Sequence, residues 1–187
     1  MAVVRKLFWV WNYDKEEKWL NEMASQGLLL TSVGHGKYEF EACEPGEYIV
    51  RMEYLKKIPI KSKNHEYISF VEETGAERIN SSGARWAYFK KRSSEGNFEI
   101  FSDYSSRIKH IERIQSGLSS FTIYALICTV ISTLISIAQY ILNERVALIF
   151  ILSSVAFFVG CIINFIGIHK LQRKRNELAK EKQFFEG

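Results

Sequence analysis

Residues 19–27 read WLNEMASQG and residues 67–75 read YISFVEETG. In both, apolar side chains recur at helical spacing: Trp19, Leu20, Met23 and Ala24 in the first, Tyr67, Ile68 and Val71 in the second. A glycine follows each run, where a left-handed cap can end an amphipathic helix. A displacement of 48 positions, the interval from Gly27 to Gly75, superposes Trp19 on Tyr67, Leu20 on Ile68 and Met23 on Val71. The same displacement brings Tyr38 onto Trp86 and Phe40 onto Tyr88.

Working outward, each helix is framed by strand patterns. Val4–Trp11 (VRKLFWVW) is aromatic and β-branched, with Phe8 and Val10 on one side and Trp9 and Trp11 on the other, which predicts a central strand. Asp14 and Glu17 have the spacing of an acidic capping box for the first helix. After Gly27 come a strand over Leu28–Val33, a Gly34-His35-Gly36 turn and an alternating strand over Lys37–Cys43. Glu44-Pro45-Gly46 turns the chain into a strand with Tyr48, Val50, Met52 and Tyr54 on one face. The order then returns: a loop over Lys56–Lys63, a helix over His65–Thr74, a strand over Ala76–Asn80, a Ser81-Ser82-Gly83 turn and a strand over Arg85–Lys91. Two βαββ units fit, by duplication or because helix-to-hairpin units share such positions for physical reasons. Phe98–Phe101 reads as an added edge strand. Short glycine turns between strands favour antiparallel pairing over helical crossovers. The expected fold class is α+β, an antiparallel sheet with two helices on one face.

The remainder of the chain is of another kind. Leu118–Leu142 and Val146–Ile168 contain no Asp, Glu, Lys, Arg or His, and Asn143-Glu144-Arg145 separates them. Runs of 25 and 23 residues each exceed the roughly 20 that cross a hydrocarbon core, so a transmembrane helical hairpin is expected. Arg107, Lys109 and Arg113 precede the first run, and Lys170, Arg173, Lys174, Arg175, Lys180 and Lys182 follow the second. The positive-inside rule then puts both termini in the cytoplasm, with the turn outside. No charged-then-apolar leader precedes the domain, which is expected to stay cytoplasmic. The organisation is residues 1–102 as a cytoplasmic α+β domain, 103–117 as a juxtamembrane linker helix, 118–168 as the hairpin and 169–187 as a basic tail. In the linker, Ser102 or Asp103 can cap a helix whose Tyr104, Ile108, Ile111 and Ile114 could lie on the lipid surface or dock on the sheet, docking being favoured because the polar face is only weakly basic.

The segregation excludes a wholly soluble globule, and 2 Pro with 11 Gly exclude a collagen-like or low-complexity chain. Residues 1–116 hold 18 Lys+Arg against 17 Asp+Glu, too even a balance for nucleic-acid binding. Cys43, Cys128 and Cys161 are scattered and offer neither a disulfide framework nor a metal clip. No phosphate loop, dinucleotide fingerprint, zinc-protease pair or nucleophile elbow is present. His35, His65, His110 and His169 show no ligand spacing. No catalytic residue, metal site or cofactor is assigned, and a non-enzymatic role is expected.

Aromatic residues carry the one candidate site. Trp9, Trp11, Trp19, Tyr38, Phe40, Trp86 and Tyr88 either form the core or line a groove between the two units that accepts a ligand or partner segment. In the apolar runs, Cys128, Gly160, Cys161, Asn164 and Gly167 are candidate helix-contact positions.

The string FWVWNYDKEEKWLNEMASQGLLLTSV, with KYEFEACEPGEYIVRMEYL, EYISFVEETGAE, ARWAYFKK and FEIFSDYSSRIKHIERI after it, resembles a bacterial family of small two-span membrane proteins whose N-terminal domain has no known function. The likeness covers roughly Leu7–Ile114; Gly27-Leu28 and Gly75-Ala76 stand where that family commonly has Gly-Trp. Such proteins are often encoded beside PadR-type transcriptional repressors. The resemblance therefore implies a regulatory or sensory module that binds a protein partner such as a PadR-like repressor, or a small effector. The alternative expectation is an accessory subunit of a larger membrane complex such as an exporter.

Overall fold

The computed structural model describes residues 1–55, 62–82, 85–101, 103–142 and 144–186. Most of the expected loop Lys56–Lys63, Gly83, Ser102 and Asn143 lie outside the described residues. The chain divides into two units, Met1–Arg113 and Ile114–Gly187.

The first unit is α+β. Its elements are β1 (Ala2–Arg5), α1 (Tyr13–Ser25), β2 (Leu28–Val33), β3 (Lys37–Ala42), β4 (Tyr48–Tyr54), α2 (Ser62–Glu73), β5 (Glu77–Ser81) and β6 (Trp86–Arg92). The start of α3 (Tyr104–Leu142) completes it. The six strands form one sheet in the order β1-β3-β2-β5-β6-β4. Every pairing is antiparallel except the central one, where β2 and β5 run parallel through Ser32–Asn80 and Val33–Ser81.

That order is the same from either end: first, third and second strand of one βαββ unit, then second, third and first of the other. A half-turn about an axis in the sheet and along the strands relates two such halves. It keeps strand direction, so the central pair is parallel, and it exchanges the faces, so the helices fall on opposite sides. The cores bear this out. Leu20 of α1 packs with Leu30, Phe40, Val50, Met52, Ile79 and Tyr88, whereas Ile68 and Val71 of α2 pack with Leu55, Ala76, Ala87, Phe89 and Phe98. Within the α+β class, then, the sheet is mixed and the second helix covers the other face.

A single residue accounts for the difference. Phe40 and Tyr88, superposed at 48 positions, lie under the same helix; Phe89, 49 positions on, is the residue beneath α2. Side chains alternate along a strand, so a slip of one residue exchanges the two faces. The helix caps do correspond at 48. Gly27 and Gly75 both have positive φ, +83° and +86°, and a Cβ at Gly27 would stand 2.9 Å from the Cys43 carbonyl oxygen.

The first strand is shorter than expected and lies at the sheet edge. It ends at Arg5; Lys6 N–H then bonds the Gly36 carbonyl at 3.0 Å, and a 3-10 turn, Val10–Asn12, leads into α1. Asn12 occupies the N-cap of α1 without a side-chain cap bond, and Glu17 is turned to β4 instead of closing a capping box. Phe98–Phe101 forms no strand; Phe98 is buried and its carbonyl accepts from Arg51 Nε at 2.9 Å.

The second unit holds the rest of α3 and α4 (Glu144–Glu186), which pack as a hairpin. Gln115 Nε2 donates to Gln172 Oε1 at 2.9 Å, Thr133 meets Ser154, and Ala125 and Cys161 are buried. Outward, α3 and α4 expose Phe121, Ile127, Leu134, Ile151, Phe158 and Ile162. Both helices are long and apolar enough for two membrane spans.

Candidate functional site

The outer edge of β4 has its backbone groups capped by side chains. Alternate residues of an edge strand direct N–H and C=O away from the sheet, an open template for another strand. Here Asn21 Oδ1 accepts from Val50 N–H and Asn21 Nδ2 donates to Val50 O, both at 2.9 Å. Glu17 Oε2 accepts from Met52 N–H at 2.9 Å, and His110 Nε2 accepts from Tyr54 N–H at 3.0 Å. The spacing explains the match: four residues of helix advance about 6 Å, close to the roughly 6.8 Å of two strand residues. Burial raises the Glu17 carboxyl above its ordinary range, against the Met52 bond and the nearby Arg51.

His110 is on α3, buried among Tyr13, Trp86 and Phe101. As acceptor at Nε2 it is the neutral tautomer protonated at Nδ1. Desolvation, reinforced by Arg113, lowers its pKa to about 3. Three residues on, Arg113 Nη2 donates to Glu53 Oε1 at 2.7 Å, and Glu53 Oε2 accepts from the Tyr67 hydroxyl of α2. Burial raises the Glu53 carboxyl; the Tyr67 bond and Arg113 oppose that. The head of α3 is thus fastened to β4 twice and, through Glu53, to α2. Asp103 Oδ1 accepts from Ser106 N–H at 3.1 Å and caps this helix.

A second buried carboxylate lies under α1. Glu16 Oε1 accepts from the Tyr38 hydroxyl at 2.8 Å and the Tyr88 hydroxyl at 2.7 Å. Desolvation raises Glu16, with the two hydroxyls opposing, and burial raises both phenols. One oxygen therefore links α1, β3 and β6.

The seven aromatic candidates are divided by the fold. Tyr38, Phe40, Tyr88 and Trp11 are buried, and Trp19 and Trp86 pack on the first core. α1 and α2 cover opposite faces of the sheet, so these rings do not lie between the two helices. Only Trp9 is largely exposed, stacked on Trp11 at 4.9 Å with an interplanar angle of 7°. In the hairpin, a Cβ at Gly160 would meet nothing within 4 Å, and Asn164 Nδ2 bonds the Gly160 carbonyl of its own helix at 2.9 Å. Gly167 is buried, and Cys161 Sγ approaches the Thr122 carbonyl at 4.0 Å. Among the described residues, no three His, Cys, Asp or Glu side chains are grouped to hold a metal ion.

Glu16, Asn21, Glu53, His110 and Arg113 were not assigned to a site from the sequence, and Glu16, which the sequence suggests is a solvated carboxylate, is buried. For Glu16 a signal existed, since positions 16, 20 and 24 share one helical face with Leu20 and Ala24. Glu53 and Arg113 are separated by 60 positions, beyond any local pattern.

A family profile described as "Protein of unknown function (DUF2812)" matches residues 12–125. The chain belongs to this family. The match takes in the first unit from Asn12 onward, including Glu16, Asn21, Glu53, His110 and Arg113, and the beginning of the first apolar run. No curated protein and no solved structure matches the chain.

Proposed function

We propose that this DUF2812 protein is a membrane-anchored, non-enzymatic regulatory module. Its first unit lies in the cytoplasm and binds a protein partner, a PadR-like transcriptional repressor, or a small effector; both termini face the cytoplasm. The observation that carries this reading is the fastening of α3. The helix that bears the first apolar run begins with His110 and Arg113 held by the sheet and by α2. An event that shifts β4 or α2 thereby changes the free energy of the helix head, the differential interaction that coupling between two sites requires.

The test is co-purification of the full chain from membranes with the PadR-like repressor of the same bacterium, alongside a reporter of repressor output. Association, and altered output on deletion that the wild type restores but Arg113→Ala does not, support the proposal. No association and unchanged output overturn it. Reporter fusions at the C-terminus and between the apolar runs check the topology: cytoplasmic signal is expected from the former only.

A second reading, an accessory subunit of a larger membrane complex such as an exporter, draws on an open groove of about 350 Å³ between the helices. It is lined by Thr133, Ser136, Ile137, Tyr140, Ile151, Ser154 and Val155. Cross-linking from Ile151 to a second polypeptide would favour it.

A further inference from the structure

The strand registers put several chain segments at one end of the sheet. Arg5 is opposite Lys37, Val33 beside Ser81, and Tyr54 opposite Trp86. At this end the chain leaves β1, turns from β2 to β3, and receives His110 on Tyr54 N–H. It is also where the first unit exposes adjacent apolar side chains: Leu7 is 87% exposed, Trp9 56% and Val10 36%. The segment is held rather than loose. Lys6 N–H bonds the Gly36 carbonyl, Trp9 stacks on the buried Trp11, and Asn12 N–H bonds the Trp9 carbonyl at 2.7 Å.

Arg5, Lys6 and Lys37 lie at this same end, Arg5 opposite Lys37 and Lys6 bonded to Gly36, and the first thirteen residues contain no Asp or Glu. Lys37 pairs with Glu39, and Lys6 Nζ lies over the Trp19 and Phe8 rings at 4.5 and 5.0 Å; Arg5 and Lys6, both exposed, directly precede Leu7 in the chain. An indole and aliphatic groups with cations at the same end of the sheet match the headgroup layer of an anionic bilayer: the ring takes the boundary between headgroup and acyl chain, the cations take the phosphates. Only seven residues of chain separate His110 from Leu118, where the apolar run starts.

We propose that Leu7, Trp9 and Val10, with Arg5 and Lys6, form a docking surface for the anionic phospholipid surface of the membrane that the chain itself spans. The tip is a second attachment of the first unit, independent of any partner it regulates. It rests on the reading of the two apolar runs as spans.

Trp9, Trp11, Trp19 and Trp86 are the four tryptophans, and all belong to the first unit. Indole fluorescence of the full chain in nanodiscs therefore reports on that unit alone. With lipids brominated near the headgroup, wild-type emission is expected to be quenched in phosphatidylglycerol discs and less so in phosphatidylcholine discs. Trp9→Phe should remove most of the quenching. Leu7→Ser should reduce it by about half or more, and so should salt near 1 M, where the Debye length is about 3 Å. Unquenched wild type in both lipids, or quenching that Trp9→Phe leaves intact, overturns the proposal. So does a Trp9 shielded from acrylamide without bromine quenching, which would mean a protein covers the tip. A chain that does not enter nanodiscs at all overturns the span reading beneath it.

Discussion

Arg113 stands 2.7 Å from Glu53, and Glu53 is only 1% exposed. Removing one partner of a buried ion pair leaves an uncompensated charge, at roughly 3–5 kcal/mol, whereas replacing both is often close to neutral. Arg113→Met should therefore destabilise the first unit by about 3 kcal/mol, and adding Glu53→Gln should recover most of the loss. Denaturant unfolding followed by tryptophan emission measures both. Faster hydrogen exchange over residues 104–113 in the single variant would show that the head of α3 is what loosens.

Glu16 gives a pH prediction of definite sign. Its carboxyl is raised by burial, so the folded chain keeps the proton to higher pH than the unfolded chain. The stability it contributes is present in acid and lost as pH rises through the raised value. Glu16→Gln keeps an acceptor for the Tyr38 and Tyr88 hydroxyls but cannot ionise. In alkaline solution its stability should equal or exceed wild type, and the fall with rising pH should flatten. Tyr88→Phe, which leaves the carboxylate one donor fewer, should cost about 1–3 kcal/mol at pH 8.

His110 acts in the opposite direction. Held at about 3 when folded against an ordinary 6.5, it stays neutral while the unfolded chain takes up a proton. Stability should thus decline as pH falls below about 6.5, by at most about 5 kcal/mol at the lower end. His110→Gln retains an acceptor for Tyr54 N–H and should be less acid-sensitive. The difference in unfolding midpoint between variant and wild type at pH 7 and pH 4.5 isolates this residue from the raised carboxylates.

Asn21 is the most economical test of the covered edge. Asn21→Ala leaves Val50 N–H without its acceptor and takes from Val50 C=O one of its two side-chain donors, Arg51 Nη1 at 3.2 Å being the other, at about 1–3 kcal/mol. It also opens the β4 edge to pairing with other chains. Unfolding measurements should show the loss, and light scattering in detergent should show faster aggregation. Asn21→Asp keeps the acceptor for Val50 N–H but sets an oxygen against Val50 O, so its loss should be comparable.

The helices α1 and α2 were legible in the sequence because burial of one face and a glycine after each apolar run, Gly27 and Gly75, leave a local periodic trace. The short strands around the Gly34-His35-Gly36 turn were legible for the same reason. Val4–Trp11 misled, since its composition suits a strand buried on both faces. Once the chain leaves the edge at Arg5, the same residues supply a core anchor in Trp11 and an exposed tip in Leu7 and Trp9. The candidate aromatic site was legible only as a set of large apolar side chains, and burial assigned most of them to the core.

Local composition determined the α+β class of the first unit and the two apolar helices after it, because periodicity and uncharged length are properties of consecutive residues. Which face α2 covers, the parallel pairing of Ser32 with Asn80, and the meeting of Glu53 with Arg113 were decided only by tertiary structure. Each depends on the relative register of distant segments, where a shift of one residue exchanges inside for outside.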